Sequence, residues 1–170
     1  MELIGRLLDG SISYNSRGIP EGPSYFGGRV SQDDKITRLE EVVLFEGCSR
    51  RQLKRVAKIA DVIEVPAGAM LARKGDTGNE FFVILDGTAR VELSAKRQVR
   101  LGPGEYFGEM SLLDGGPRSA TVIADTPLRL LVIKRRDFSS LLRDIPDVTQ
   151  NILVTLSKRL RQVEQALGGR

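Results

Sequence analysis

A carboxylate and a guanidinium, Glu109 and Arg118, stand nine residues apart in the segment FGEMSLLDGGPRSATV, Phe107 to Val122. Gly108 precedes the glutamate, and Pro117 and Ser119 flank the arginine. A carboxylate accepts hydrogen bonds from sugar hydroxyls, and a guanidinium fork grips a phosphate through two charge-assisted bonds. Backbone N–H groups opening a helical turn over Glu109 to Leu113 also favour an anion. Sugar hydroxyl and phosphate together suggest a nucleotide. An ordinary surface Glu–Arg pair could use the same two residues, but such a pair is worth little. It would also not require Gly, Pro and Ser around it.

Composition narrows the chemistry further. The chain has 170 residues, 41% hydrophobic and 28% charged, which suits one soluble domain with its own core. It contains no histidine, which excludes His-based acid–base catalysis, His triads and His-bearing metal sites. Glu105 and Glu109 could form a carboxylate pair, yet nothing marks them as catalytic; an enzyme is not expected. The net charge of +4 is spread out, with short basic clusters at Arg50, Arg51, Lys54 and Arg55 and at Lys134 to Arg136. These read as solvated helix faces. One cysteine, Cys48, cannot form an internal disulfide, and no apolar run reaches bilayer length, so a cytoplasmic protein with no membrane partner is expected.

The elements that must position Glu109 and Arg118 follow from periodicity. Residues 1–34 read as a Gly/Ser/Pro-rich arm, with an amphipathic turn at Ile4, Leu7 and Leu8 and with Tyr14, Tyr25 and Phe26 interspersed. Residues 35–145 read as the domain proper. Ile36, Leu39, Val42 and Val43 predict a helix, and Ser49 predicts the N-cap of a second one carrying Leu53, Val56, Ala57 and Ile59. From Asp61 to Ile133 short apolar runs alternate with Gly-rich turns, including a hairpin turn expected at Asp86-Gly87. This pattern predicts an α+β protein: an antiparallel β-roll, or jelly roll, with N-terminal helices and a long C-terminal helix. Gly102, Gly104 and Gly108 approach a dinucleotide fingerprint, but the spacing is one residue too long and no βαβ unit surrounds them. In residues 146–170 the stripe Val148, Ile152, Leu156, Leu160, Val163 and Leu167 predicts a lid or dimerisation helix.

The segment Phe107–Val122 resembles the phosphate-binding cassette of the cyclic nucleotide-binding domain family, to which catabolite activator protein and the cAMP-dependent kinase regulatory subunits belong. That cassette reads roughly F-G-E-[LIM]-[AS]-L-L, a short loop, then P-R-[SAT]-A-T-V, and this chain matches it without a gap. The resemblance implies that Glu109 accepts the ribose 2′-hydroxyl and that Gly108 allows close backbone approach. Arg118 would pair with the cyclic phosphate, helped by Ser119 and by cassette N–H groups, which brings Met110 and Ala120 into the ligand-binding set. Leu112, Leu113 and Ala120 would brace the cassette, and Arg118 would be substantially solvated without ligand. From the final helix, Arg159, Gln162 and Val163 are candidate base or lid contacts, and Arg159 could also pair with Glu109. Val163 and Glu164 fall where catabolite activator protein has its adenine-binding hydroxyl residues, so adenine selectivity by that route is not implied. Serine after the cassette arginine leans toward cAMP, with cGMP as the second candidate.

The implied function is a regulatory sensor of a cyclic nucleotide, acting as a homodimer through the last helix or on an effector protein. Neither a cofactor nor a metal is expected. With three residues after Leu167, the resemblance implies no attached helix-turn-helix and no direct DNA binding. The competing reading is a β-roll interaction protein that keeps the cassette but has lost useful nucleotide affinity.

Overall fold

The computed structural model describes residues 30–168 and, upstream of them, two short strands, Ser13–Tyr14 (β1) and Pro20–Glu21 (β2), paired antiparallel. The turn read at Ile4, Leu7 and Leu8 lies outside the described residues. So do Tyr25, Phe26 and the side chain of Tyr14.

Ser31 caps helix α1 (Gln32–Glu40) by accepting from the Asp34 N–H, and Ile36 and Leu39 are its buried face. A 3₁₀ turn at Val43–Phe45 follows. There the expected apolar stripe splits: Val42, Leu44 and Phe45 are buried, while Val43 points to solvent. Helix α2 (Arg50–Ile59) opens with a capping box, in which Ser49 and Gln52 each bond the other's backbone N–H, as the Ser49 N-cap reading anticipates.

Eight strands then form two four-stranded antiparallel sheets, ordered β3-β10-β5-β8 and β4-β9-β6-β7. The strands are β3 (Asp61–Val65), β4 (Met70–Ala72), β5 (Glu80–Asp86), β6 (Ala89–Ser94), β7 (Arg97–Leu101), β8 (Tyr106–Phe107), β9 (Thr121–Ala124) and β10 (Leu128–Lys134). A short helix α3 (Glu109–Asp114) separates β8 from β9, and α4 (Arg135–Asp144) and α5 (Pro146–Gly168) close the described chain. This is the α+β jelly roll with flanking helices that the periodicity predicts. Among the described residues, no helix is long and apolar enough to cross a membrane. None of their His, Cys, Asp and Glu side chains cluster as a metal site.

The continuous apolar run Phe81–Leu85 explains where the core sits. Phe82 and Ile84 face the second sheet, with Phe107, Val122 and Leu130. Phe81, Val83 and Leu85 face the helices, with Leu39, Phe138 and Ile152. A strand covered on both faces has no polar side to alternate with, so it reads as a block of hydrophobics.

One expectation fails here. Asp86-Gly87 is not a hairpin turn, because β5 pairs with β10 and β8 while β6 pairs with β7 and β9. The chain uses this corner to cross from one sheet to the other. The hairpin lies instead between β6 and β7, where Ser94 faces Arg97 across a turn without glycine.

At the crossing, Gly87 has φ +90° and packs against the Pro127 carbonyl, with the Leu128 Cδ2 atom 2.8 Å from where a Cβ would lie. Gly87→Ala is therefore expected to cost at least about 2 kcal/mol in urea unfolding, from positive-φ strain and overlap combined. A loss below about 0.5 kcal/mol, the range of a neutral surface change, would mean that the corner relaxes freely.

Candidate functional site

Strand β8 ends at Phe107, and the chain turns through Gly108 (φ +93°) into α3. A side chain at Gly108 would place its Cβ 2.6 Å from the Arg118 Nη1 and 2.8 Å from the Glu80 carbonyl oxygen. Glycine is thus required twice, by backbone conformation and by close approach. Glu109, the first residue of α3, is only 1% exposed although it carries a carboxylate.

Arg118 reaches the same corner from the other side. Its Nη1 donates to the Gly108 carbonyl at 3.1 Å and its Nη2 to the Glu80 carbonyl at 2.7 Å. The Glu80 carboxylate stands 3.5 Å from Nη2, and the Phe82 ring lies beneath the guanidinium at 5.8 Å. The Arg118 backbone is held too, its N–H donating to Asp76 and its carbonyl accepting from Gly75. Arg118 is 4% exposed, which corrects the expectation of a solvated arginine. Backbone carbonyls of Gly108 and Glu80 do the work that water would do at the surface. Burial pulls its pKa down, opposed by Glu80. Arg118 Nε and Glu80 Oε2 have no hydrogen-bond partner among the described residues.

The last helix supplies the third charge. Arg159 Nη1 donates to Glu109 Oε1 at 2.6 Å, and Nη2 reaches the Tyr106 carbonyl at 3.4 Å. Its guanidinium also lies over the Tyr106 ring, 5.6 Å from the centroid. Burial pushes the Glu109 carboxyl above the ordinary carboxylate range; Arg159, the α3 backbone and Arg118 oppose that push without cancelling it.

Gly108, Glu109, Arg118 and Arg159 are therefore brought together. Ser119 and Met110 are exposed beside them, with the Ser119 hydroxyl 3.8 Å from the Met110 sulfur, and Ala120 is buried at the entry to β9. Gln162 and Val163 are exposed on α5, past Arg159. Leu112 is buried as a brace should be, but Leu113 is 43% exposed, because a six-residue helix turns only one narrow face to the core. The Lys134–Arg136 cluster also divides. Lys134 and Arg136 are solvated, whereas Arg135 turns inward and donates to the Gly78 carbonyl at 2.5 Å and the Ser111 carbonyl at 3.2 Å. Glu80, Tyr106 and Arg135 carry no sequence signal of a site. Each is recruited by backbone that only the folded sheet brings near.

Residues 62–144 match the sequence model of the cyclic nucleotide-binding domain. The chain is 37% identical over 118 residues to a cyclic nucleotide-gated potassium channel of Rhizobium etli, covering 69% of this chain and 33% of the channel. It is 37% identical over 107 residues to the cyclic AMP receptor protein of Thermus thermophilus, covering 60% of this chain and 50% of that protein. The crystal structure of Thermus thermophilus catabolite activator protein superposes with a TM-score of 0.68 at 32% identity, over 74% of this chain and 62% of the other. The match thus spans between 33% and 50% of the length of the two curated relatives.

Removing the Arg118 side chain would strand the Glu80 carboxylate and two carbonyls. Arg118→Ala is expected to lower the unfolding free energy of the ligand-free protein by about 3 kcal/mol, read from urea denaturation. A cost under about 1 kcal/mol would show water replacing the guanidinium at little penalty.

Glu109 yields a pH test. Its folded pKa lies above its unfolded value, so its contribution to stability is complete below the ordinary carboxylate range and declines as pH rises through the folded pKa. Wild-type stability measured against Glu109→Gln should therefore fall as pH rises above the ordinary carboxylate range. A difference that grows with pH would mean that the Arg159 pair outweighs burial.

Proposed function

Because this chain belongs to the cyclic nucleotide-binding domain family, we propose that it is a regulatory sensor that binds a cyclic nucleotide, cAMP in preference to cGMP. The observation that carries this reading is the depth of its charges. Glu109 and Arg118 are both nearly free of water, and the Arg118 Nε–H has no partner among the described residues. Structural ion pairs seldom justify such a cost, whereas a site that must hold a small anion and a sugar hydroxyl needs fixed, desolvated partners.

In this reading Arg118 holds the cyclic phosphate with its charge, and the Ser119 hydroxyl and cassette N–H groups at Met110 and Ala120 complete the cradle. Glu109 accepts the ribose 2′-hydroxyl, and Gly108 lets the ligand approach the backbone. Both contacts are required, since a cyclic monophosphate offers a single negative charge. Arg159 presently occupies Glu109, so the sugar must share or displace it. The stretch from Arg159 to Val163 then lies over the ligand as a lid.

Regulation passes through α5 in this reading. Val148 and Ile152 root it in the core, while Leu153, Leu160, Val163 and Leu167 remain exposed. A symmetric pair of such helices would bury that stripe and let the ligand in one protomer bias both. An effector protein is the second kind of partner. The proposed setting is the cytoplasm, consistent with one unpaired cysteine, Cys48.

Calorimetric titration with cAMP and cGMP tests the reading, together with thermal unfolding. A ligand that binds only the native state stabilises by about 2.7 kcal/mol at a hundredfold excess over its Kd. We expect cAMP to do so, with cGMP weaker. If millimolar cAMP and cGMP both leave the Tm and the heat signal unchanged, the chain is a β-roll interaction protein and not a sensor.

A further inference from the structure

Glu80 opens strand β5 and lies beside the cassette corner, yet its side chain has no part in the recognition proposed above. That side chain is 12% exposed, and its Oε2 stands 3.5 Å from the Arg118 Nη2. The same Nη2 already donates to the Glu80 backbone carbonyl at 2.7 Å. The pair is therefore half made: Glu80 Oε2 and Arg118 Nε are both buried and lack a hydrogen-bond partner among the described residues. A carboxylate and a guanidinium kept together for stability alone would close into a bidentate bond, because each unsatisfied buried polar atom carries a desolvation cost.

The charges around the corner give this carboxylate a use. Gly78 lies against the Nε edge of Arg118, where a Cβ would come within 2.5 Å of Nε, and its carbonyl accepts from Arg135. Two guanidiniums thus converge on one glycine, and Arg135 adds to burial in pulling the Arg118 pKa down. Lys134, the register neighbour of Glu80 on β10, is turned out to solvent. Glu109 and Arg159 already offset each other as a pair. Arg118 and Arg135 set against Glu80 leave one net positive charge, which a single negative charge neutralises.

We propose that Glu80 is the charge filter of this corner: it leaves Arg118 able to hold a singly charged cyclic phosphodiester and disfavours the doubly charged terminal phosphate of an open-chain nucleotide. The proposal rests on the nucleotide reading and goes beyond it, because it assigns the rejection of 5′-monophosphates to one side chain. A phosphomonoester carries about 1.5 to 2 negative charges near neutral pH, whereas a diester carries one. Repulsion scales with the product of the charges, so a fixed carboxylate penalises the monoester about twice as heavily as the diester. Salt screens such a buried charge much less than an exposed one. Glu80 is a specificity residue that acts through ligand charge, while Arg118 makes the contact.

Calorimetric titration of the full chain with cAMP, and its displacement by 5′-AMP and by the 5′-monomethyl ester of AMP, tests this. The ester is open-chain but singly charged, so it should bind the wild type about tenfold tighter than AMP despite its extra methyl group. Glu80→Gln should tighten cAMP by about tenfold and AMP by about a hundredfold, so that the preference for cAMP over AMP narrows about tenfold. Glu80→Asp, which keeps the charge, should keep most of the wild-type preference. A side chain that only braces Arg118 gives the opposite result, with both ligands weakening together in Glu80→Gln. That result, or an unchanged preference, overturns the filter. An ester that binds the wild type no better than AMP also overturns it, and that arm needs no variant to fold. In each of these cases heat of cAMP binding leaves the nucleotide reading intact, whereas no heat with cAMP overturns both.

Discussion

Keeping two opposite charges away from water is the constraint on which this structure turns. Taking an ion out of water costs several kcal/mol even after the protein relaxes, and only fixed partners offset that cost. Arg118 has the Gly108 and Glu80 carbonyls and the Glu80 carboxylate; Glu109 has Arg159. Each of these partners must stand still, because a shift of half an ångström forfeits much of a charge-assisted bond. The rest of the fold can be understood as the scaffold that holds them.

Strand β5 provides that rigidity by being covered on both faces. Phe82 stacks on Phe107 at 4.8 Å and lies under Arg118, so the floor of the cassette is part of the core between the sheets. On the opposite face Phe81 meets Tyr106 at 5.5 Å and Phe138 at 4.9 Å, which ties the cassette's entry strand to α4. Tyr106 therefore sits where sheet, cassette and last helix meet. Burial raises the pKa of its phenol, with Thr155 and Arg159 opposing, so it remains neutral near neutral pH. Arg135 adds a second strap, joining the start of α4 to Gly78 and to the cassette helix at Ser111.

Much of this was legible from residue order, and what was not has a physical explanation. Ser49 announced a helix start, and the short apolar runs between Asp61 and Ile133 announced strands, because caps and apolar runs are local signals. The cassette was legible because glycine, proline and charge must recur at fixed places around a small ligand-sized corner. The depth of Arg118 was not legible, since it depends on a carbonyl at Glu80, distant in sequence. Asp86-Gly87 misled for a similar reason. Turn chemistry shows that the chain bends, but strand pairing decides which sheet receives it, and here Arg129 faces Asp86 from β10. Leu113 and Arg135 show the same limit at the scale of one side chain. A hydrophobe on a short helix can face water, and one base in a charged run can turn inward when carbonyls await it.

Helix α5 behaves as a lever because its two halves are held by interactions of different strength. At its root Val148 and Ile152 are fully buried, each such side chain contributing about 1.5–3 kcal/mol. Asn151 adds bonds to the Leu44 and Glu46 carbonyls at 2.9 and 3.0 Å, fixing the root to the 3₁₀ turn. Beyond Leu156 the helix is supported mainly by its own composition, since Leu, Lys, Arg, Gln and Ala are good helix formers. The hydrogen bonds that tie this half to the cassette come from a single side chain, Arg159, which is itself half-exposed. Packing holds the root and one side chain holds the distal half, so a change at Glu109 would reach the distal turns before the root. The proposed sensor would need this asymmetry, because the segment that reports must be one that a ligand can move.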